Sequence, residues 1–424
     1  MNPELLRNLW LEITPQRLAA MPAVLGLVFA AFWLTEGRSS VAGNAQWVGL
    51  AIGIVWGARQ AAGAVAGEIA DRTWDSQRAS ALTPWQMTWG KLVGATAYAW
   101  YGVALCAAVH VATGGAVLGA IEVLLATLLA HAVALFASLV LVALGGRAVI
   151  LTSLPHLAGM VAGLVAGAIP LSALGVMSDS VGWYGLGDGA WFRLASVAAF
   201  AVWAVLGAWR LMMRELTVPQ RPWAWPAFVL FCAGYAAGFT WHDGAEACLR
   251  AGFVAAAPLV TAAALAEPKP RAPLQRFLRG APGEAPASIQ ALAITATLAL
   301  ALAIATRPAG ALPELSGAMP VAAVLFLARD IALIRLVSLG RSGIRGAVAA
   351  LIWLAVLYLA LPGLLGGIDG DAALFLFLPV PAVAAPFGAV ALAAPALQAA
   401  SLWHLLVRRL GTVPASDAAM ARQG

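Results

Sequence analysis

Long apolar runs separated by short polar segments dominate the chain from residue 18 onward. Most runs hold about 20 residues rich in Ala, Val, Leu and Gly, which is the length that one helix needs to cross a bilayer. Strands of a membrane barrel would alternate apolar and polar residues, and these runs do not alternate. The pattern therefore predicts an all-α, polytopic helical membrane protein with about twelve transmembrane helices in two six-helix halves.

The predicted spans follow one another through short connections. The fifth contains Pro155 and Pro170, and proline kinks or breaks a helix around its own position. The predicted spans cover residues 18–34, 47–66, 92–113, 117–144, 149–176, 190–211, 225–241, 248–266, 288–306, 320–338, 346–366 and 372–394.

Composition agrees with lipid as the solvent of this chain. Hydrophobic residues make up 62% of the 424 residues and charged residues 10%, and the mean hydropathy is +0.87. Soluble domains carry about 25% charged residues, and one of this length could not bury so much apolar surface. The net charge of +6 is low for this length, so we expect no nucleic-acid partner.

Most of the 25 Lys and Arg residues fall on one side of the membrane when the spans are threaded in order. Arg38, Arg193, Arg250 and Arg307 fall on the other side. Cytoplasmic loops carry the excess of basic residues in membrane proteins, so we expect both termini in the cytoplasm. The excess of Ala, Gly and Arg is typical of a GC-rich bacterial genome and predicts a bacterial inner membrane location.

The proline-rich, charged segment 214–226 predicts a division of the chain. Residues 1–215 form one predicted half, residues 216–411 a second half of unclear relation, and residues 412–424 a disordered tail. The N-terminus lacks a short apolar core followed by a small-residue cleavage site, so no removable signal is expected. The cysteines form no CxxC pair and are interpreted as small apolar fillers; they are Cys106, Cys232 and Cys248.

The stretch GEIADRTWDSQRASALTPWQMTWGKLVG, residues 67–94, is the most polar long segment of the first two hundred residues. Trp74 and Arg78 are four positions apart, as are Trp85 and Trp89, and this spacing puts each pair on one face of a helix. Tryptophan favours the headgroup level of a membrane. We therefore expect residues 71–89 to lie on the cytoplasmic membrane surface, between the second and third spans.

Within this segment, the pair Thr83–Pro84 predicts a break into two short helices, because proline disfavours helix at the preceding residue. The side chains of Arg72, Arg78 and Lys91 are expected to meet lipid phosphates or solvent. One interpretation of the whole segment is a tryptophan-anchored interfacial loop without a protein partner. The other is a site that a partner protein grips.

The segment resembles the cytoplasmic elbow of type-2 ABC transporter permeases. That family's pattern is roughly E-x-E-R-G-T, a run of leucines, a turn containing proline, and G-K-L at the start of the next span. Arg72 stands where the family has glycine. The resemblance covers about residues 1–215, including an N-terminal interfacial helix and the Gly- and aromatic-rich segment 177–193 in the place of the family's re-entrant helices. The residues that match in order are Glu68, Thr73, Pro84, Gly90, Lys91 and Leu92.

This resemblance implies a permease subunit of an ATP-driven exporter, not an enzyme, with an amphipathic or lipid-linked substrate. The elbow, residues 67–91, would be the coupling helix that a cytoplasmic ABC ATPase moves. The chain has no GxxxxGK[ST] loop, so ATP and Mg²⁺ would bind to that separate ATPase and this chain would hold no cofactor. Expected partners are the ATPase, the lipid bilayer, and a second copy or another permease chain. The elbow residues assigned to ATPase contact or bracing are Glu68, Asp71, Arg72, Thr73, Asp75, Arg78, Pro84, Gly90 and Lys91.

Charged residues inside predicted spans are candidates for a transport path, because charge in the membrane is costly unless it has a function. Glu122 lies near the outer end of the fourth span, and Arg329 and Asp330 lie in the tenth. Since Arg329 and Asp330 are adjacent, we expect them to point to different sides of the helix. An alternative function is therefore an ion-gradient-driven secondary transporter that uses the tenth span. A third is a scaffold that recruits partners through the basic loop 267–286.

Histidines in or near the third to fifth spans suggest no metal centre. No HExxH motif and no close His pair occurs, so each is interpreted as a hydrogen-bonded structural residue. In the fifth span, glycines at four-residue steps predict a face for close helix packing. The histidines are His110, His131 and His156, and the glycines are Gly159, Gly163 and Gly167.

Overall fold

The computed structural model describes most of the chain and is helical throughout its regular structure. The predicted tail 412–424 and most of the predicted span 372–394 lie outside the described residues, as do parts of segments 177–193 and 267–286. No β-strand occurs in the described ranges, which confirms the all-α prediction. The described residues are 2–150, 154–177, 183–185, 189–267, 271–279, 285–306, 319–339, 343–369, 376–377 and 390–411.

The chain divides into two compact units. The first comprises Met1–Gly182 and Leu186–Gln220, and the second comprises Trp183–Gly185 and Arg221–Gly424. The assignment of the two units to a permease-like half and a second half stays a prediction. The helices of the first unit are α1 (Pro3–Glu12), α2 (Pro15–Glu36), α3 (Arg38–Ala70), α4 (Trp74–Arg78), α5 (Pro84–Trp89), α6 (Ala97–Ala112), α7 (Val117–Ile150), α8 (Leu154–Met177) and α9 (Gly189–Glu215).

The second unit continues with eight further described helices. They are α10 (Ala224–Phe239), α11 (Ala245–Ala266), α12 (Arg271–Leu278), α13 (Ala287–Ala305), α14 (Met319–Ser338), α15 (Gly343–Ala355), α16 (Leu361–Asp369) and α17 (Val390–Gly411).

Local sequence explains why the first two helices begin where they do. The side chain of Asn2 accepts hydrogen bonds from the backbone N–H groups of Glu4 and Leu5, and Thr14 accepts one from Arg17 at the start of α2. Each cap is followed by proline, which lacks the N–H that would otherwise stay unpaired at a helix start. α1 and α2 are therefore two separate helices, each with its own capped start.

Seven described helices are long and apolar enough to cross a membrane, or eight if the bent pair formed by Pro84–Gly94 and Ala97–Ala112 counts as one span. The protein is thus a multi-pass helical membrane protein, but this number does not fit the predicted count of about twelve. The seven are Pro15–Glu36, Arg38–Ala70, Val117–Gly145, Trp191–Glu215, Ala245–Ala266, Ala287–Ala305 and Gly343–Leu365.

Three features account for the lower count. α10 has only 16 residues, and the side chains of α8 are described only over Leu154–Ala168, a segment too short to be counted. α14 carries Arg329, Asp330 and Arg335, and three charges make it less apolar than a lipid-exposed span. The predicted twelfth span falls mostly outside the described residues. Apolar runs alone therefore gave too many spans.

Lipid-facing surfaces and close helix contacts both fit a membrane interior. Large apolar side chains such as Leu27, Leu34 and Ile304 are exposed on the outside of the helices. Between helices of the first unit, the contacts are close: a Cβ at Gly159 would lie 2.7 Å from the Cβ of Ala62. Gly163 and Gly167 also face neighbouring helices, which confirms the predicted packing face.

Candidate functional site

Close backbone packing fastens the elbow to the N-terminal helix. α5 continues into one π-helical turn, Gly90–Gly94, before the chain bends by 55° into α6. A Cβ at Gly90 would lie 2.7 Å from the Cβ of Glu4, and a Cβ at Gly94 would lie 2.8 Å from the Cβ of Asn8. Because glycine has no Cβ, α1 lies directly on this turn. The two contacts are four residues apart on both segments, so they follow one another along the interface.

Four charged side chains and one amide meet where α1, α3 and the elbow come together. The Nζ of Lys91 forms ion pairs with Oε1 of Glu4, at 2.7 Å, and with Glu68. Arg7 pairs with the same two carboxylates and lies 3.0 Å from Oε1 of Glu4. Gln77 donates a hydrogen bond to Glu68 at 2.6 Å and accepts one from Lys91 at 3.0 Å. We call these five residues the elbow cluster.

Burial makes the members of the elbow cluster depend on one another. The side chain of Lys91 is 0% exposed and that of Glu4 is 3% exposed, while two cations balance two carboxylates. Removing one partner of a buried ion pair leaves an uncompensated charge and costs about 3–5 kcal/mol. Burial lowers the pKa of Arg7, but hydrogen bonds and charge attraction from Glu68 and Glu4 outweigh it and raise the pKa above its ordinary value.

Backbone hydrogen bonds add to this junction. The Nδ2 of Asn2 donates to the carbonyl of Gln86 at 2.8 Å, and the Nδ2 of Asn8 donates to the carbonyl of Gly90 at 3.3 Å. Asn8 also donates to Oε1 of Glu4 at 2.9 Å, so it connects the backbone contact with the ion pairs. Both ends of α5 are therefore held by α1.

At the C-terminal end of α3, the chain turns through a left-handed residue. The N–H of Thr73 donates to the carbonyl of Glu68 at 2.9 Å, and the N–H of Arg72 donates to that of Ile69 at 3.2 Å. This pair of bonds is a Schellman motif, which normally places glycine at the left-handed position. Here that position is Arg72, with φ of +61°. The turn directs the chain from α3 into α4.

Two short helices form the rest of the elbow, and a break separates them as predicted. Thr83 caps α5 and exchanges hydrogen bonds with Gln86 in a capping box, and Pro84 is the first residue of that helix. Trp85 packs edge-on against Trp89 at 5.5 Å and against Trp209 of α9 at 6.0 Å, measured between ring centroids. Aromatic packing thus connects α5 to the membrane bundle of the first unit.

The elbow has an inner side and an outer side. Glu68, Gly90 and Lys91 lie in its interior contacts with α1, and Pro84 begins the inner helix. The remaining predicted elbow residues are exposed on the outer side, and we call them the elbow face. They are Asp71, Arg72, Thr73, Asp75 and Arg78.

Two expectations about the elbow were wrong. Trp74 was expected at the headgroup level, but its side chain is buried against Val65, Leu135 and Met212 in the core of the first unit. Lys91 was expected to meet lipid phosphates or solvent, but it is buried in the elbow cluster, with Nζ 5.9 Å from the ring centroid of Trp74. The reason is that Trp74 packs into the helices of the first unit and Lys91 meets carboxylates from α1 and α3.

Sequence reasoning missed the partners of Lys91. Glu4, Arg7 and Asn8 lie on a helix that the sequence predicted only as an N-terminal interfacial helix, and nothing in the sequence pointed to Gln77. One signal was present in the sequence. Small residues at 90 and 94 match in spacing the polar pair at 4 and 8, as two closely packed helices require.

Glu122, one of the three candidates for a transport path, has an ionic partner in the first unit. Its Oε1 lies 2.7 Å from Nε of Arg193 on α9, so the carboxylate on α7 is neutralised between two helices. Glu122 is mostly buried and Arg193 is partly exposed. This ion pair connects α7 to α9 and compensates the charge of Glu122.

Arg329 and Asp330 form a network in the second unit, and the expectation that they point to different sides of α14 was wrong. The guanidinium of Arg329 reaches its neighbour, with Nε 2.9 Å and Nη2 2.8 Å from Oδ1 of Asp330. The hydroxyl of Tyr358 donates to Oδ2 of Asp330 at 2.5 Å, and Nη1 of Arg329 donates to Gln398 at 3.0 Å. The long, flexible arginine side chain allows this adjacent pairing.

His131 and His110, in the first unit, contact backbone carbonyls. Nε2 of the fully buried His131 lies 2.9 Å from the carbonyl oxygen of Gly53, within the π-helical stretch Ala51–Gly57 of α3. Nδ1 of His110 lies 2.7 Å from the carbonyl oxygen of Ala42. Across the described part of the chain, no three His, Cys, Asp or Glu side chains are grouped to hold a metal ion.

No family model matches the chain, and no curated protein or solved structure matches it. The resemblance of the elbow to one permease family therefore stays a prediction, and the function must be argued from the geometry of the chain itself.

Proposed function

We propose that this chain is the membrane permease subunit of an ATP-driven exporter, similar to type-2 ABC permeases, for an amphipathic or lipid-linked substrate. The chain catalyses no bond chemistry and holds no cofactor, because a separate cytoplasmic ATPase binds ATP and Mg²⁺. In this proposal the protein lies in a bacterial inner membrane with both termini in the cytoplasm. It works with that ATPase and with a second copy or another permease chain.

The observation that carries the proposal is the elbow cluster. A coupling element has to move as one body, because a flexible loop would absorb the force that the ATPase applies. Lys91 lies at the start of the π-helical turn before α6, and its ion pairs reach Glu4 on α1 and Glu68 on α3. Displacing the elbow would therefore displace all three helices.

The backbone at Arg72 supports the resemblance independently of any charge. It occupies the position where the permease pattern has glycine, and it adopts the left-handed conformation that glycine favours. Gly90 supports the resemblance in a second way, because α1 packs where a side chain would otherwise stand. Two glycine positions of the pattern thus have a physical reason in this fold.

The elbow face offers chemistry that suits a reversible interface. Asp71 and Asp75 alternate with Arg72 and Arg78 within eight positions, and all four are exposed. Exposed ion pairs are individually weak, at about 0–1 kcal/mol, and they orient partners more than they hold them. An ATPase that releases and regrips the elbow in each cycle needs contacts of this kind.

Affinity purification in mild detergent tests the proposal. The full chain is compared with a variant that combines Asp71→Ala and Arg72→Gly, which removes two charges from the elbow face and preserves the left-handed turn. We expect an ATPase with a GxxxxGK[ST] loop to co-purify with the unaltered chain and to be depleted in the variant. Glu36→Ala with Arg38→Ala, at the connection between α2 and α3, is the matched control and should retain the ATPase.

Two results would overturn the proposal. One is the absence of any ATPase from every preparation, combined with transport in membrane vesicles that persists without ATP. The other is equal loss of the ATPase from the elbow variant and from the matched control, since this would show that charge removal anywhere weakens the complex.

A second candidate function, an ion-gradient-driven secondary transporter, is favoured by one observation in the second unit. Arg329 is 1% exposed and Asp330 is 3% exposed, and both lie inside a predicted span in a network with Tyr358. Such buried charge often marks an ion or proton path. Asp330→Asn would abolish gradient-driven uptake if this function is correct, whereas Asp71→Ala with Arg72→Gly would leave it unchanged.

A further inference from the structure

Arginines crowd one end of the second unit, where α11, α14 and α17 finish. They come from three elements: α12 and the residue after it, the first turn of α15, and the last turn of α17. Glu267, an acid at this end, forms an ion pair with the buried Arg335. The exposed arginines, which we call the arginine surface, are Arg276, Arg279, Arg345, Arg408 and Arg409.

Packing of α12 brings these arginines together. Leu274 of α12 is 1% exposed and belongs to one apolar cluster with Leu406 and Leu410 of α17. The Nε2 of Gln275 donates to the carbonyl of Leu410 at 3.2 Å. The same cluster includes Leu339, just after α14, so α12 lies across the ends of α14 and α17. This contact holds Arg276 and Arg279 beside Arg408 and Arg409.

The side chains of α12 that face the protein are apolar, and those that are exposed include arginines, which suits the headgroup layer. Leu274 and Phe277 face the protein, whereas Arg276, Leu278 and Arg279 are exposed. Leu278 is 43% exposed, so an apolar group lies on the exposed surface next to Arg279. A short helix with this surface lies in the plane of the interface, with its apolar groups towards the acyl chains and its arginines at the phosphates.

The opposite end of this unit has a different charge. The segment before α11 carries Asp243, and Glu246 pairs with Arg250 in its first turn. In the described part of this unit, exposed arginines therefore outnumber acids at one end and not at the other, as expected of a surface that faces anionic lipid.

We propose that the arginine surface binds the phosphate groups of anionic phospholipids and holds α12 flat in the headgroup layer. Guanidinium groups suit this ligand, because each presents a planar fork of N–H donors that matches two phosphate oxygens. The flanking Leu278 makes the site selective for a phosphate that is attached to a lipid over one that is free in solution. This proposal does not rest on the ATPase partner.

Binding of a fluorescent phosphatidylglycerol to the purified full chain in detergent tests the proposal, with phosphatidylcholine as the neutral probe. We expect selective binding of phosphatidylglycerol that weakens as salt is added. Arg276→Gln with Arg279→Gln should weaken it roughly 30-fold, since each arginine near an anionic surface contributes roughly fivefold in affinity and the two factors multiply. Arg38→Gln with Arg250→Gln, which removes the same charge away from this surface, should leave it unchanged.

A conservative variant separates loss of binding from loss of folding. Arg276→Lys with Arg279→Lys keeps both positive charges and should retain most of the binding, and all variants should melt at similar temperatures. Equal affinity for the two lipids, or equal loss in the control variant, would overturn the proposal. So would full competition by glycerol phosphate, which indicates a free phosphate ligand. Unchanged lipid selectivity together with loss of a co-purifying protein would assign the surface to a protein partner instead.

Discussion

Gly90 and Arg72 are two backbone positions at which a single atom, the Cβ, decides the local structure of the elbow. At Gly90 the missing Cβ leaves room for Glu4, and α1 can lie on the π-helical turn. At Arg72 a Cβ is present although the backbone is left-handed, a conformation that costs roughly 1–2 kcal/mol for residues other than glycine. Glycine thus permits close packing at position 90, whereas the lack of glycine at position 72 leaves the backbone strained.

Replacing Gly90 by Ala should loosen α1 from the elbow. The added Cβ would meet Glu4 at 2.7 Å from its Cβ, and overpacking of this kind costs about 1–3 kcal/mol. Gly67→Ala in α3 is the matched control, because a Cβ there has no neighbour within 4 Å and alanine favours helix by about 0.5–1 kcal/mol. Unfolding in mixed micelles measures both. Equal stability of the two variants would contradict this account of Gly90.

Arg72 separates the effect of charge from that of backbone strain. Arg72→Gly and Arg72→Ala remove the same charge, but only glycine relieves the left-handed conformation. We expect the glycine variant to be more stable than the alanine variant by about 1 kcal/mol, measured by the same unfolding assay. If the alanine variant is as stable as the glycine variant, the turn at the end of α3 is not strained.

Individual residues of the site were predictable to different degrees. Pro84 predicted the break because its steric effect on Thr83 is local. The burial of Lys91 was not predictable from neighbouring residues, because its partners Glu4 and Glu68 come from other helices. The strain at Arg72 was visible in sequence only as a departure from a family pattern, since no local property of arginine indicates a left-handed residue.

Among the elements, α1, the elbow and the start of α6 are held together by one set of contacts. The ion pairs of Lys91 and the contacts of Gly90 and Gly94 act on the same short turn, and the bend of 55° follows directly after it. The π-helical geometry of this turn has no sequence signature, because GKLVG reads like any apolar helix start. Packing against α1, a tertiary contact, accompanies this geometry.

Removing the charge of Lys91 should weaken the contacts between α1, α3 and the elbow. Lys91→Met leaves two buried carboxylates against one cation, and we expect a loss of about 3–5 kcal/mol in the free energy of unfolding. Adding Glu4→Gln restores the balance and should recover part of the loss, with a coupling energy of about 0.5–3 kcal/mol in a double-mutant cycle. Arg17→Met, which breaks the exposed pair with Glu12, should cost less than about 1 kcal/mol.

Additive losses for Lys91 and Glu4 would show that the two side chains do not interact. A loss as large for Arg17→Met would show that burial is not what makes the elbow cluster important.

On the scale of the whole molecule, apolar periodicity predicted the fold class but not the number of spans. Long apolar runs were correctly assigned to membrane helices, since lipid admits little else. The count failed at α14, where charges are buried by protein, and at the short α10, where length was marginal. A hydropathy pattern reports the chain's average environment and does not show which neighbours cover each helix.

Topology gives a prediction for the intact protein in its native membrane. α2 and α3 are both long and apolar enough to cross, so we expect the elbow on the same side as α1 and the connection between α2 and α3 on the opposite side. In a chain whose native cysteines are replaced by serine, Ser76→Cys should react with an impermeant maleimide from the cytoplasmic side only. Ser39→Cys should react from the other side only. Labelling of both from one side would contradict the assigned crossings.

The length of α3 has a consequence for how the elbow stands relative to the bilayer. With 33 residues, α3 is about 50 Å long, whereas the hydrocarbon core is about 30 Å thick. The surplus must be taken up by tilt, by local thickening of the lipid, or by projection into water. Because the elbow continues from the end of this helix, a thicker or thinner membrane changes its height above the headgroups. Lipid thickness would then set how readily a soluble protein reaches the elbow face.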